Sequence, residues 1–161
     1  MRITPLIRPM KESDVDIVAR LRCDAFFEGA NRTATEDAEG LRQLLLDGRF
    51  EVAFVAELNR IPIGSCLFIK SELDAAHDLT PWLAGLVVAP DHRGRGIGQE
   101  LVRAVETHAL SIGVVEFYLY TWEATAFYHA LGWRAVEVFL QNGQQMMLMS
   151  RRLAGERQWP R

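Results

Sequence analysis

Apolar residues recur at two different spacings along this chain, and the points where the spacing changes mark out its elements. Residues 2–8 read as a short strand ahead of the turn at Pro9. Ser13 and Asp14 offer N-cap oxygens to a helix whose apolar positions are Val15, Ile17, Val18, Leu21 and Ala25. The polar stretch 29–40 reads as a loop. A second helix over about 35–47 turns Leu41, Leu44 and Leu45 inward, and Gly48 ends it. Residues 51–57 form a strand, Asn59-Arg60 a turn, and 61–69 the returning strand of a hairpin. After a loop at 71–81, residues 82–88 are apolar almost throughout, as suits a central strand covered on both faces. Gly85 within that strand signals a bulge or a close backbone approach.

A helix at 97–112 gathers Ile97, Leu101, Val102, Val105, Ala109 and Ile112 on one side and stops at Gly113. A strand at 114–120 follows, then a short helix at 123–131 ended by Gly132. Strands at 133–140 and 144–150 turn at Asn142-Gly143. The order is therefore β-α-α-β-β-β-α-β-α-β-β. The unit at 82–120 requires a right-handed parallel crossover, whereas both hairpins are antiparallel. This predicts an α/β (α+β) fold in one domain, with a mixed, strongly twisted sheet of about six or seven strands and about four helices. It is not a doubly wound arrangement. The domain is expected to span residues 1–153, with a polar, flexible tail at 154–161.

Composition narrows the classes without choosing among them. The chain has 161 residues, 49% of them hydrophobic, enough for one sizeable core. A net charge of −3, with 18 cationic residues scattered and no basic run longer than Arg151-Arg152, argues against nucleic acid as a partner. No run approaches the roughly 18–20 apolar residues of a membrane span. Cys23 and Cys66 stand far apart without metal-ligand spacing, so each is expected to be a buried, reduced thiol. No bound metal is expected, and a cytoplasmic location is the simplest expectation.

The chemistry concentrates in Arg93-Gly94-Arg95-Gly96-Ile97-Gly98, between the apolar strand and the long helix. A helix N-terminus presents unpaired N–H groups and partial positive charge, which favours a phosphate. The glycines let the backbone approach that anion and permit positive φ, while Arg93 and Arg95 can add charge-assisted hydrogen bonds. A nucleoside-triphosphate loop would need Gly-Lys-Ser/Thr, which is absent. A dinucleotide fingerprint read from Gly94 would need glycine where Gln99 stands. The spacing that remains is R-x-x-G-x-G, at Arg93, Gly96 and Gly98.

That stretch, from Leu86 through Gly98, resembles the pyrophosphate-binding signature of the GNAT N-acetyltransferase superfamily. The segment from Thr121 to Trp133, with Ala124, Phe127-Tyr128 and Gly132-Trp133, is similar to the family's second block. The resemblance implies acetyl-CoA as cosubstrate, held by the backbone of Leu86, Val87 and Val88 along its pantetheine arm. The amides of Arg93, Gly94, Arg95, Gly96, Ile97 and Gly98 would take the pyrophosphate. Contacts from Thr121, Ala124 and Tyr128 would complete that site. An amine would attack the thioester directly, the Val88 amide stabilising the oxyanion and Tyr128 protonating the departing thiolate as general acid.

The sequence departs from the family pattern twice. Thr121 stands where an Asn is often found, and 81–85 lacks the acid that often serves as base. Glu57, Glu72, His77, Asp78 and Glu123 are substitutes, or water carries the proton away. The resemblance also builds the acceptor pocket from about 24–40, 71–82 and 136–146. Asp24, Glu28, Glu36, Asp37 and Glu39 make the first of these acidic, which would suit a cationic amine. Trp82, Trp122 and Trp133 are candidates for its lining. The acceptor is a small-molecule or peptide amine. The rival class is a binding module that keeps acyl-CoA affinity without catalysis; a longer acyl chain or a hydroxyl acceptor is a third reading. The C-terminal hairpin, as a sheet edge, is where a homodimer would form.

Overall fold

The computed structural model describes residues 4–27, 32–71 and 78–153. Its elements follow the predicted order: β1 (Leu6–Pro9), α1 (Val15–Phe26), α2 (Ala34–Asp47), β2 (Val52–Leu58), β3 (Ile61–Ile69), β4 (Trp82–Val88), α3 (Ile97–Ser111), β5 (Glu116–Thr121), α4 (Thr125–Ala130), β6 (Arg134–Gln141) and β7 (Gln144–Arg152). One seven-stranded sheet runs β1-β2-β3-β4-β5-β7-β6. Only β4 and β5 are parallel; every other neighbouring pair is antiparallel. The mixed α/β sheet with four helices is the architecture the sequence predicts.

Strand alternation sorts the core onto two faces. On β2 and β3, Ala53, Val55 and Leu67 turn toward α1 and α2, packing with Val15, Val18, Ala19, Ala38 and Leu41. Their neighbours Ala56, Cys66 and Phe68 turn the other way, against Leu101, Val102, Val105 and Ala109 of α3 and Tyr128 of α4.

Local chemistry explains the boundaries. At the start of α2, the Thr33 hydroxyl accepts the Glu36 N–H at 3.1 Å and the Glu36 carboxylate accepts the Thr33 N–H at 2.8 Å. Asp14 does not cap α1 as expected. Its carboxylate accepts the Lys11 N–H and two bonds from Arg8, so a short 3-10 turn at Glu12–Asp14 precedes the helix. Ile17, two residues past Val15 and so on the other side of the helix, is partly turned to solvent, and the buried stripe of α1 is Val15, Val18 and Ala19. The Thr121 hydroxyl accepts the Ala124 N–H at 3.0 Å, which delays α4 to Thr125. Cys66 is buried as expected, but Cys23 is only half-buried. Trp82 and Trp133 are core residues rather than pocket lining; Trp122 is exposed. The predicted strand start at 2–3 and the tail at 154–161 lie outside the described residues.

Asn59 and Arg60 occupy left-handed backbone, with φ of 53° and 68°. A two-residue hairpin requires that conformation, but an arginine gains nothing from it. Arg60→Gly should therefore stabilise the protein by about 0.5–1 kcal/mol, read as a higher urea midpoint at unchanged m-value. The last hairpin satisfies the same need with Asn142-Gly143. Its outer strand, β6, is one edge of the sheet and exposes Val136, Val138 and Leu140.

Among the described residues, no helix is long and apolar enough to cross a membrane. No cluster of three or more metal-ligating side chains occurs among them.

Candidate active site

The parallel pair β4–β5 is joined at one end only. Trp82 stands opposite Tyr118, and the Tyr118 N–H donates to the Pro81 carbonyl at 3.1 Å; beyond that point the two strands diverge. The Trp82 ring packs tilted against Tyr118 and edge-on against Tyr120, with centroids 6.0 and 5.8 Å away. A second irregularity lies on the other side of β4. Leu67 pairs with Ala84 and Ser65 with Val87, so Gly85 and Leu86 together face Cys66 in a bulge. Gly85 has φ of 63°, and the bulge its position predicted is present.

The glycine loop sits where β4 ends. Gly94 and Gly96 have φ of 78° and 81°, and a Cβ at either would meet nothing within 4 Å. Gly96 is the N-cap of α3, and the first intrahelical bond runs from Glu100 N–H to its carbonyl. The amides of residues 94–98 have no acceptor among the described residues, and those of Ile97 and Gly98 belong to the first turn of α3, whose N–H groups a helix start leaves unpaired. Arg93 behaves differently from expectation. Its amide bonds to the Pro90 carbonyl and its Nε donates to the Val88 carbonyl at 2.8 Å, closing the strand-to-loop junction. Ala89 donates its N–H to the Ile63 carbonyl at 2.7 Å, so strand alternation turns the Val88 N–H away from β3, toward the gap.

A cavity of about 710 Å³ opens into this gap. Leu83 to Leu86 and Leu119 to Thr121 form its walls, Trp122, Glu123, Ala124 and Tyr128 lie on one side, and Phe26, Phe27, Arg22 and Arg32 on the other. Tyr128 is 6% exposed and packs edge-on against Phe127 and Trp133. Trp133 is held by Glu106, whose Oε2 accepts its indole N–H at 3.0 Å while Oε1 accepts from Arg103. Burial pushes the Tyr128 phenol up from its ordinary value, with the Cys66 thiol beside it adding to the shift. The Cys66 thiol is itself pushed up by burial.

Residues 49–135 match the family model of the acetyltransferase (GNAT) domain, more than half of the chain. The chain belongs to the GNAT acetyltransferases. Membership makes acetyl-CoA its cosubstrate, and the unpaired amides beside a half-open parallel pair fit that molecule's phosphates and extended arm. A comparison with the curated proteins gave no match.

Among solved GNAT structures, a phosphinothricin acetyltransferase from Sinorhizobium meliloti in complex with AcCoA superposes with a TM-score of 0.77 at 18% identity, covering 99% of this chain and 94% of the other. A ribosomal-protein-alanine N-acetyltransferase from Brucella melitensis gives 0.75 at 19%, covering 92% and 99%. An acetyltransferase from Thermus thermophilus gives 0.67 at 26%, covering 95% and 100%.

Within this GNAT domain the expected site residues fall into two groups. Leu86, Thr121, Ala124 and Tyr128 line the cavity, whereas Gly94 to Gly98 lie at the mouth of the gap. The Thr121 hydroxyl is already engaged by Ala124. Of the five substitutes for a base, Glu123 lines the cavity. Glu57 is bound to Arg8 at 2.7 Å, and Asp78 faces a separate hollow beside Glu116 and Arg134. Glu72 and His77 lie outside the described residues.

The expectation of an acidic acceptor end needs correction. Asp37 is fully buried between Arg22 and Arg32, Glu36 is spent on the α2 cap, and Asp24 and Glu39 face solvent. The charged residues that reach the cavity from this side are Arg22 and Arg32, neither singled out from the sequence. A signal for Arg22 was present: it continues the Val15, Val18, Ala19 stripe, an arginine at a position where the helix faces inward.

Proposed function

We propose that this GNAT domain transfers the acetyl group of acetyl-CoA to the primary amine of a small molecule or peptide by direct attack on the thioester. The amine nitrogen bonds to the carbonyl carbon, and the Val88 N–H receives the oxygen as charge develops on it. The carbon–sulfur bond then breaks, the sulfur takes the Tyr128 proton, and the amine gives up its own proton. The observation that carries this reading is the half-open β4–β5 pair, with unengaged amides at its mouth and Tyr128 inside the cavity it opens onto.

Along Leu86–Val88, the backbone groups that turn away from β3, the Val88 N–H among them, are offered to the pantetheine arm as by a neighbouring strand, while Val87 holds the strand to β3; the amides of Gly94, Arg95, Gly96, Ile97 and Gly98 hold the pyrophosphate. Glu123 is the acid placed to receive the amine proton, directly or through water. Glu123→Gln should lower kcat/KM about tenfold. An unchanged kcat/KM would return the proton to solvent alone.

Release of free thiol from acetyl-CoA, followed across a panel of amines with mass detection of the product, tests the transfer itself. Binding of acetyl-CoA without thiol release for any amine would leave a binding module instead.

A further inference from the structure

We propose that Arg22 and Arg32 form an anion-recognition site at the acceptor end of the cavity, and that the amine acetylated here carries a carboxylate. This rests on the reading above, in which that cavity receives the acceptor.

Arg22 is held in place from behind. Its Nε donates to Asp37 Oδ2 at 2.8 Å and its Nη2 to Asp37 Oδ1 at 3.3 Å, while Asp37 is 1% exposed. Arg32 Nε donates to the same Oδ1 at 2.9 Å. One buried carboxylate thus serves two guanidinium groups, which leaves the cluster with a net charge of +1. The Arg22 Nη1 lies over Gly85 of β4, where a Cβ would collide with it. It has no acceptor among the described residues. The β4 bulge and the missing side chain at Gly85 together make room for that nitrogen in the cavity wall.

Its setting strengthens any bond it makes. The Arg22 guanidinium carbon lies 5.9 and 5.8 Å from the Phe26 and Phe27 ring centroids, and that of Arg32 lies 5.5 Å from Phe27. The rings hold the forks and keep water from one side, so a carboxylate meets fixed donors in a partly desolvated site. A polyamine would bring further positive charge to this end and gain nothing there. An amine with a carboxylate matches both ends of the lining: its anion faces Arg22 and Arg32, and its ammonium faces Glu123, on the side of the cavity that holds Tyr128.

The test uses matched pairs: phenylalanine with phenethylamine, methionine with 3-methylthiopropylamine, and 4-aminobutyrate with propylamine. Each is measured for thiol release from acetyl-CoA and, separately, for binding by calorimetry in the presence of CoA. The carboxylated member of a pair should be preferred at least tenfold. Arg22→Lys keeps the charge on Asp37 but loses the fork; it should raise KM for carboxylated amines at least tenfold and leave their decarboxylated partners within about twofold. Arg32→Gln changes a half-exposed side chain and should act in the same direction, more weakly.

Equal affinities within the pairs, preference for the decarboxylated members, or absence of binding by every carboxylated amine would overturn the proposal. Equal losses for both members in Arg22→Lys would do the same. Failure of acetyl transfer is read separately, because calorimetry still discriminates within the pairs when no thiol is released.

Discussion

Replacing Tyr128 by Phe is expected to lower kcat at least a hundredfold while the dissociation constant for acetyl-CoA stays within about threefold. The size follows from what a positioned acid contributes, about 10²–10⁴ in rate. The separation of the two parameters follows from geometry. The ring fills the space between Phe127 and Trp133, and phenylalanine fills it equally well, so the cavity wall survives. Only the oxygen is removed, and that oxygen has no hydrogen-bond partner among the described residues.

Tyr128 lines the cavity, and its hydroxyl holds no partner that would be stranded by its loss. Tyr128→Phe should therefore melt at about the same temperature as the parent, which separates a chemical role from a structural one. Because burial raises the phenol above its ordinary value of 10.0, it stays protonated through the neutral range. The same desolvation raises the proton affinity of a thiolate formed beside it, which offsets the lower acidity of the buried phenol. The kcat profile should accordingly show no descending limb below pH 10 that belongs to this tyrosine. Unchanged kcat in Tyr128→Phe would remove the assignment.

What could be read from the sequence divides along the range of the interactions involved. Backbone rules acting over a few residues were readable: the Gly94–Gly98 turn into α3, the Asn142-Gly143 hairpin and the glycine stop of α2 at Gly48 all depend on near neighbours, as does the bulge signalled by Gly85. The parallel crossover followed from element order, whereas the gap between β4 and β5 shows only in the fold. Charge was misread because its meaning is tertiary. Asp37 adds to an acidic tally along 24–39, yet in the fold it is buried beneath two arginines, Arg22 of α1 and Arg32 just ahead of α2. Arg93 counted as a phosphate ligand but turns its Nε back onto Val88. Long side chains can swing toward several partners, and spacing alone does not say which one they take.

The loop itself supplies the second large effect, through Gly96. This residue is the N-cap of α3 at φ of 81°, a conformation that a β-branched side chain resists strongly. Gly96→Val has open space for its methyl groups, since nothing stands within 4 Å of the Cβ position, so crowding within the protein is not the cause of harm. The backbone is. Moving φ out of the left-handed region rotates the amides that flank Gly96, so they no longer point toward a common anion. Affinity for acetyl-CoA should fall about thirtyfold or more, corresponding to about 2 kcal/mol, and stability by about 1–2 kcal/mol.

Gly96→Asn provides the control, because asparagine tolerates the left-handed region far better than valine. It should retain most of the affinity. If valine and asparagine weaken binding equally, the added side chain would be obstructing the ligand, and the requirement at this position would be for space rather than for positive φ.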